Sequence, residues 1–178
     1  MSDETLAELD RAGRRHTDAG RYDEAVATFT AALELRPGNP SLLYNRGEAY
    51  RRAGKLAEAR FDLEAVLEIE GESADLLLAL GLVAYESEDW ALAIERYEAS
   101  IALSPSPEAW NDLGVVHFRK GDYPRARAAF ERAIGLRPDY GEAWFNLHDT
   151  LDELGLAADT RRAAAKLREL GIKPGAED

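Results

Sequence analysis

Apolar residues along this chain recur three and four positions apart, and short polar runs containing glycine or proline interrupt them at regular points. Trp110, Leu113, Gly114 and His117 stand at i, i+3, i+4 and i+7, which puts them on one face of a helix, while Ala126, Phe130 and Ala133 stand at i, i+4 and i+7 on a second. Between the two stripes, Lys120-Gly121-Asp122 supplies a glycine to end one helix and an aspartate to begin the next. The pattern therefore predicts a helical hairpin closed by Pro138. No stretch alternates in the way a half-buried strand would.

The hairpin repeats. Gly13, Gly47, Gly81 and Gly114 follow one another at intervals of 34, 34 and 33 residues, and His148 stands 34 further on. Ala25, Ala59, Ala93 and Ala126 keep the same intervals, as do Phe29, Leu63, Tyr97 and Phe130, then Pro37, Gly71, Pro105 and Pro138. The motif W-x2-L-G-x2-(aromatic), A-x3-F, P with this period resembles the tetratricopeptide repeat. The resemblance covers residues 6 to 173. It implies an all-α, right-handed superhelical solenoid of about five antiparallel helix pairs, a single array over 1–178 with units 6–39, 40–73, 74–106, 107–140 and a divergent terminal unit 141–173.

Departures from the pattern carry their own expectations. Ser2 or Asp3 is placed to cap the first helix. Pro37-Gly38-Asn39-Pro40 resets direction after the first unit, and Gly71 replaces proline after the second, ending its helix through a left-handed cap. The third unit carries Glu88-Asp89 where its siblings have glycine, which predicts a stiffer or altered turn, and Ser104-Pro105-Ser106-Pro107 is one residue short, which predicts a local change of twist. In the fifth unit His148 fills the glycine slot and Thr160 the alanine slot, so the hairpin should splay or change partner. The basic last helix, with Arg161, Arg162, Lys166 and Arg168, suits an end cap, and Lys173 to Asp178 should be disordered.

Composition removes several function classes. The sequence has 178 residues and no cysteine, which excludes disulfides, thiol catalysis and thiolate metal sites and favours a cytoplasmic address. No apolar run reaches the ~20 residues that span a bilayer, and the first residues lack the regions of a signal peptide. Net charge is −12, which disfavours nucleic acid and anionic lipid as partners. His16 and His117 share a packing slot. His148 with Asp149, Asp152 and Glu153 has no second histidine near it in sequence, so no metal or cofactor is expected. No phosphate loop or nucleophile motif is present, and the chain is read as not an enzyme.

A second stripe on the first helix of each pair lies about 150° from the core stripe, at 100° per residue. In the tetratricopeptide family, the resemblance implies, this stripe lines a concave groove that binds peptides. Here it comprises Arg14; Tyr44, Asn45, Glu48, Arg51 and Arg52; Leu78, Leu82 and Tyr85; Asn111, Asp112, Val115, Phe118 and Arg119; and Phe145, Asn146 and Asp149, flanked by Asp10, Arg11, Thr17, Ala79, Asp152 and Glu153. A merely solvated face would not gather Leu78, Leu82, Tyr85, Val115 and Phe118. The order of charges favours a ligand acidic at one end, apolar in the centre and basic at the other. Asn45 fits a slot of the family's C-terminal carboxylate clamp, but Asp10, Ala79 and Asp112 occupy slots that need cations or amides, so no such clamp is expected. The reading is a non-catalytic interaction scaffold for a protein or peptide partner. Its rivals are a self-assembling scaffold that forms homo-oligomers and a regulatory subunit of an enzyme complex.

Overall fold

The computed structural model describes residues 3 to 173, which form ten α-helices and no strand. In order they are α1 (Asp3–Asp18), α2 (Tyr22–Leu35), α3 (Pro40–Arg52), α4 (Leu56–Glu70), α5 (Ala74–Glu86), α6 (Trp90–Leu103), α7 (Pro107–Arg119), α8 (Tyr123–Leu136), α9 (Gly141–Glu153) and α10 (Ala157–Glu169). The odd-numbered helices are the A helices of the repeat and the even-numbered ones the B helices. The all-α class expected from the sequence is the one observed.

By packing, the chain divides into two compact units, Met1–Glu88 and Asp89–Asp178, so that the third predicted repeat gives α5 to the first and α6 to the second. In the first unit each helix packs on the next, from α1 to α5; in the second the same holds from α6 to α10. Successive A helices also touch, α1 with α3 and α7 with α9. These contacts set the geometry of the predicted stripe.

The slots of the sequence pattern become the packing of the hairpins. A Cβ added at Gly13 would stand 2.5 Å from the Phe29 ring, and one at Gly114 would stand 2.5 Å from the Phe130 ring. Glycine is required at both places because the aromatic ring of the B helix lies against the A-helix backbone. Gly47 faces the smaller Leu63, at 3.1 Å, and has a little more room. In the fifth pair the sizes are exchanged by register: His148 fills the glycine slot, and Ala164 stands where Phe29, Leu63, Tyr97 and Phe130 stand in the other B helices. The pair therefore changes its filling and keeps its partner, with Leu147, Leu151, Ala163 and Leu167 buried. The Thr160 hydroxyl donates to the Leu156 carbonyl at 3.1 Å, so its half-buried oxygen is satisfied within α10.

Local chemistry sets the ends. Asn39, Ser73 and Ser106 cap α3, α5 and α7 by accepting the backbone N–H of Leu42, Leu76 and Ala109. Asp89 and Asp122 do the same for α6 and α8. The A-to-B turns of four hairpins place Gly20, Gly54, Gly121 and Gly155 at φ of 71°, 75°, 73° and 69°. Glu88 holds the equivalent place at φ 59°, and its N–H donates to the Tyr85 carbonyl at 2.9 Å, as that of Gly121 does to Phe118. The third turn thus keeps the glycine conformation, against the sequence expectation, and accepts roughly 1 kcal/mol of backbone strain to do so. Gly71 does adopt positive φ, but with ψ −169° it is extended and not a left-handed helical cap. Asp3 is the first residue of α1, and Ser2 and the tail after Lys173 lie outside the described residues.

Candidate interaction surface

In the first unit the predicted stripe is largely spent on the protein itself. Arg14 Nε donates to both oxygens of Asp10, at 3.1 and 3.2 Å, and Asn45 Nδ2 donates to the same carboxylate at 3.3 Å, which ties α1 to α3. Arg51 makes a fork to Glu48 at 3.2 Å and reaches Glu86 on α5 at 2.5 Å. Burial pulls the Arg51 guanidinium down, and the hydrogen bonds and charges of Glu48 and Glu86 more than offset this, leaving its pKa raised. Arg51 is therefore an internal tie and not the free ligand-facing cation expected from the sequence. Tyr44 is half-buried, and its hydroxyl pKa is raised first by burial and then by Glu48 and Asp75. Arg52 is exposed and carries no ion pair among the described residues. With Arg14, Thr17, Tyr44 and Glu48 it borders an open depression of about 470 Å³. On α5, Leu78, Leu82 and Tyr85 are half-buried, whereas Ala79 is buried in the core.

The second unit uses the same register differently. Val115, Phe118, Arg119, Asn146 and Asp149, all members of the predicted stripe, gather with Phe130 around one depression of about 240 Å³ between α7 and α9. Val115 and Phe118 are half-buried, and Phe118 meets Tyr123 edge to face at 5.3 Å. Arg119 is exposed with no ion pair among the described residues. Asp149 is half-exposed, and its side-chain partner is His148 at 3.0 Å. Asn111 departs from expectation: it is 1% exposed, and its Oδ1 accepts from Asn146 Nδ2 at 2.9 Å. Helices α7 and α9 meet at this height of the stripe through that hydrogen bond, which leaves Asn111 without an exposed surface. Phe145 and Asp112 remain half-buried on the stripe.

Two features were missed in the sequence. The Arg46 guanidinium donates to both oxygens of Asp62, at 2.7 and 2.8 Å, and to the Thr30 hydroxyl at 3.1 Å, with Asp62 1% exposed. Phe61, its neighbour on α4, is 71% exposed. The signal was the register itself, since Arg46 occupies the slot held by Leu80, Leu113 and Leu147 in other repeats. The histidines pack as expected. His16 accepts from Arg21 Nε at 3.1 Å, and buried His117 has no partner for Nδ1 among the described residues. Burial lowers the His117 pKa below 6.5, against the pull of Asp122. Among the described residues no cluster of three or more His, Cys, Asp or Glu is placed to hold a metal ion, and no helix is long and apolar enough to cross a membrane.

Comparison with known proteins agrees with the repeat register. The family model described as tetratricopeptide repeat matches residues 11–75, 78–141 and 117–176. Tetratricopeptide repeat protein 13 of Homo sapiens is 31% identical over 130 residues, covering 66% of this chain and 14% of that protein. The Hsp70-Hsp90 organizing protein of Triticum aestivum is 33% identical over 108 residues, covering 61% of this chain and 18% of that one. BBSome complex member BBS4 of Bos taurus is 29% identical over 129 residues, 72% of this chain and 25% of that protein. The chain thus spans a quarter or less of the length of these three relatives. Among solved structures, MamA from Desulfovibrio magneticus RS-1 superposes with a TM-score of 0.78 at 20% identity, over 96% of this chain and 95% of that one. YrrB, titled a TPR protein with an unusual peptide-binding site, superposes with a TM-score of 0.70 at 21% identity, over 91% and 84%. Repeat period, helix pairs, glycine-to-aromatic packing and the family match converge: this chain belongs to the tetratricopeptide repeat family.

Proposed function

We propose that the chain is a non-catalytic protein-interaction scaffold and that the A-helix surface of the second unit, between α7 and α9, is its ligand site. The observation that carries this reading is the depression in which Val115 and Phe118 stand half-exposed beside the exposed Arg119 and the Asn146 carboxamide. Such a surface suits a polypeptide segment that seats an apolar side chain on Val115 and Phe118 and sets a carboxylate against Arg119. An amide or a cation of the same segment would meet Asn146 or Asp149. The relative named for organizing Hsp70 and Hsp90, and the neighbour titled for its peptide-binding site, support a protein or peptide partner. In the first unit the corresponding polar groups hold the A helices together, and Arg52 with Tyr44 is the part left for a ligand.

The reading is tested with peptides selected from a random library against the whole chain and mapped by backbone amide shifts. Perturbations concentrated on α7 and α9 are expected. Perturbations confined to the B helices would refute the site.

A further inference from the structure

Away from the A-helix stripe, three residues of α3 and α4 break the repeat register together. Phe61 stands where the other B helices carry Ala27, Glu95, Ala128 and Arg162, a position exposed in every repeat. Arg46 stands where three other A helices carry buried leucine. Asp62 stands where the second unit's hairpins carry buried Ala129 and Ala163. A lone exposed aromatic would need no explanation. These three, however, line one depression of about 270 Å³ with Tyr50 and Glu58. Its floor is the Arg46–Asp62 fork, with the guanidinium carbon 5.7 Å from the centre of the Tyr50 ring, and Phe61 stands at its rim. A buried ion pair stabilises a fold little compared with the leucine and alanine it replaces, so stability alone does not account for this floor.

The charge left over around the depression is negative. Arg46 is neutralised by Asp62, Lys55 reaches Asp23 at 2.7 Å, and Arg60 lies 3.8 Å from Glu64. Glu58, exposed on α4 and lining the depression, has no ion pair among the described residues. A cation brought beside Phe61 and Tyr50 would meet the Glu58 carboxylate and the negative faces of the two rings, a combination that favours ammonium and guanidinium groups. An anionic or neutral segment would gain neither.

We propose that this outer surface of α4 is a second docking site, which takes a basic amphipathic segment of another protein, its apolar side chain between Tyr50 and Phe61 and its lysine or arginine neighbours against Glu58. The site is independent of the α7–α9 surface, and a chain with both would bring two partners together.

The test uses the whole chain and a synthetic leucine–lysine amphipathic peptide, with its leucine–glutamate counterpart as control, titrated at about 150 mM salt to screen the general attraction of an acidic protein. Amide shifts should centre on α4 and the C-terminal half of α3, and the lysine peptide should bind at least about tenfold more tightly than the glutamate peptide. Phe61→Ala leaves net charge unchanged and, at an exposed position, should leave the melting temperature unchanged, yet it should weaken binding about tenfold. Glu58→Gln should weaken it about threefold, and Phe118→Ala should have no effect. Equal binding by Phe61→Ala would reduce the effect to general electrostatics and overturn the proposal. So would shifts centred on α7 and α9, equal binding of the glutamate peptide, or a dimer of the chain that Phe61→Ala dissolves.

Discussion

Hairpins α3–α4 and α7–α8 share one register and use it in opposite ways. One and four residues after the glycine slot, α3 carries Glu48 and Arg51, and α7 carries Val115 and Phe118. In the first hairpin these positions close on themselves and on Glu86, and in the second they stay open beside the exposed Arg119. The interior contrasts as well: Arg46 and Asp62 of the first hairpin become Leu113 and Ala129 in the second. A repeat fixes which positions share one face of the A helices. The chemistry at each position decides whether the surface is free to take a ligand.

The largest effects should come from the interior. Phe130→Ala removes a ring that is 0% exposed and lies against Gly114, and should cost about 3–5 kcal/mol by denaturant unfolding of the whole chain. Gly114→Leu should also destabilise, because its Cβ would overlap the Phe130 ring. An unchanged midpoint in both would break the register on which the comparison rests.

Asp62→Ala should cost about 3–5 kcal/mol, since Arg46, 17% exposed, would keep its charge without its counter-ion. Combining it with Arg46→Leu recreates the interior of α7–α8 and should recover most of that loss. A double variant as unstable as the single one would mean that the ion pair is essential to the hairpin and not an alternative filling.

Arg51→Glu would set three carboxylates together where Glu48 and Glu86 now share a guanidinium, and should lower stability by about 1 kcal/mol. The sequence alone placed Arg51 among the ligand-facing cations instead. An unchanged denaturant midpoint with slower binding would restore that reading.

The smallest expected effect concerns His117. Its folded pKa lies below the unfolded value of 6.5, so the unfolded chain takes up the proton first. The contribution to stability is full above 6.5, declines as pH falls through that value, and levels off below the folded pKa. His117→Leu, which places in α7 the residue found at Leu151 in α9, should flatten the fall in denaturant midpoint between about pH 7.5 and 5.5. An unchanged slope would show that the imidazole does not contribute.

Much of this was legible in the sequence because steric demands leave few residue choices. Gly13 and Gly114 are readable since no side chain fits against Phe29 and Phe130. Capping by Asp122 was readable from its place at the start of α8. Glu88 misled because a turn geometry set by its neighbours can hold a non-glycine residue at positive φ. Asn111 and Arg51 misled for another reason. Helical periodicity gives direction around one helix but not the distance to the next A helix, which decides whether a side chain meets solvent or a neighbour. Phe61 and Arg46 were overlooked although the repeat alignment shows both as misfits.

The central claim is that the open register of α7 and α9 is the ligand surface. It is tested most directly by calorimetry of a library-selected peptide on the wild-type chain and on Phe118→Ala, with thermal unfolding of both. The account predicts binding weakened by about 2 kcal/mol or more with folding retained. Full-strength binding by a folded Phe118→Ala variant would contradict it.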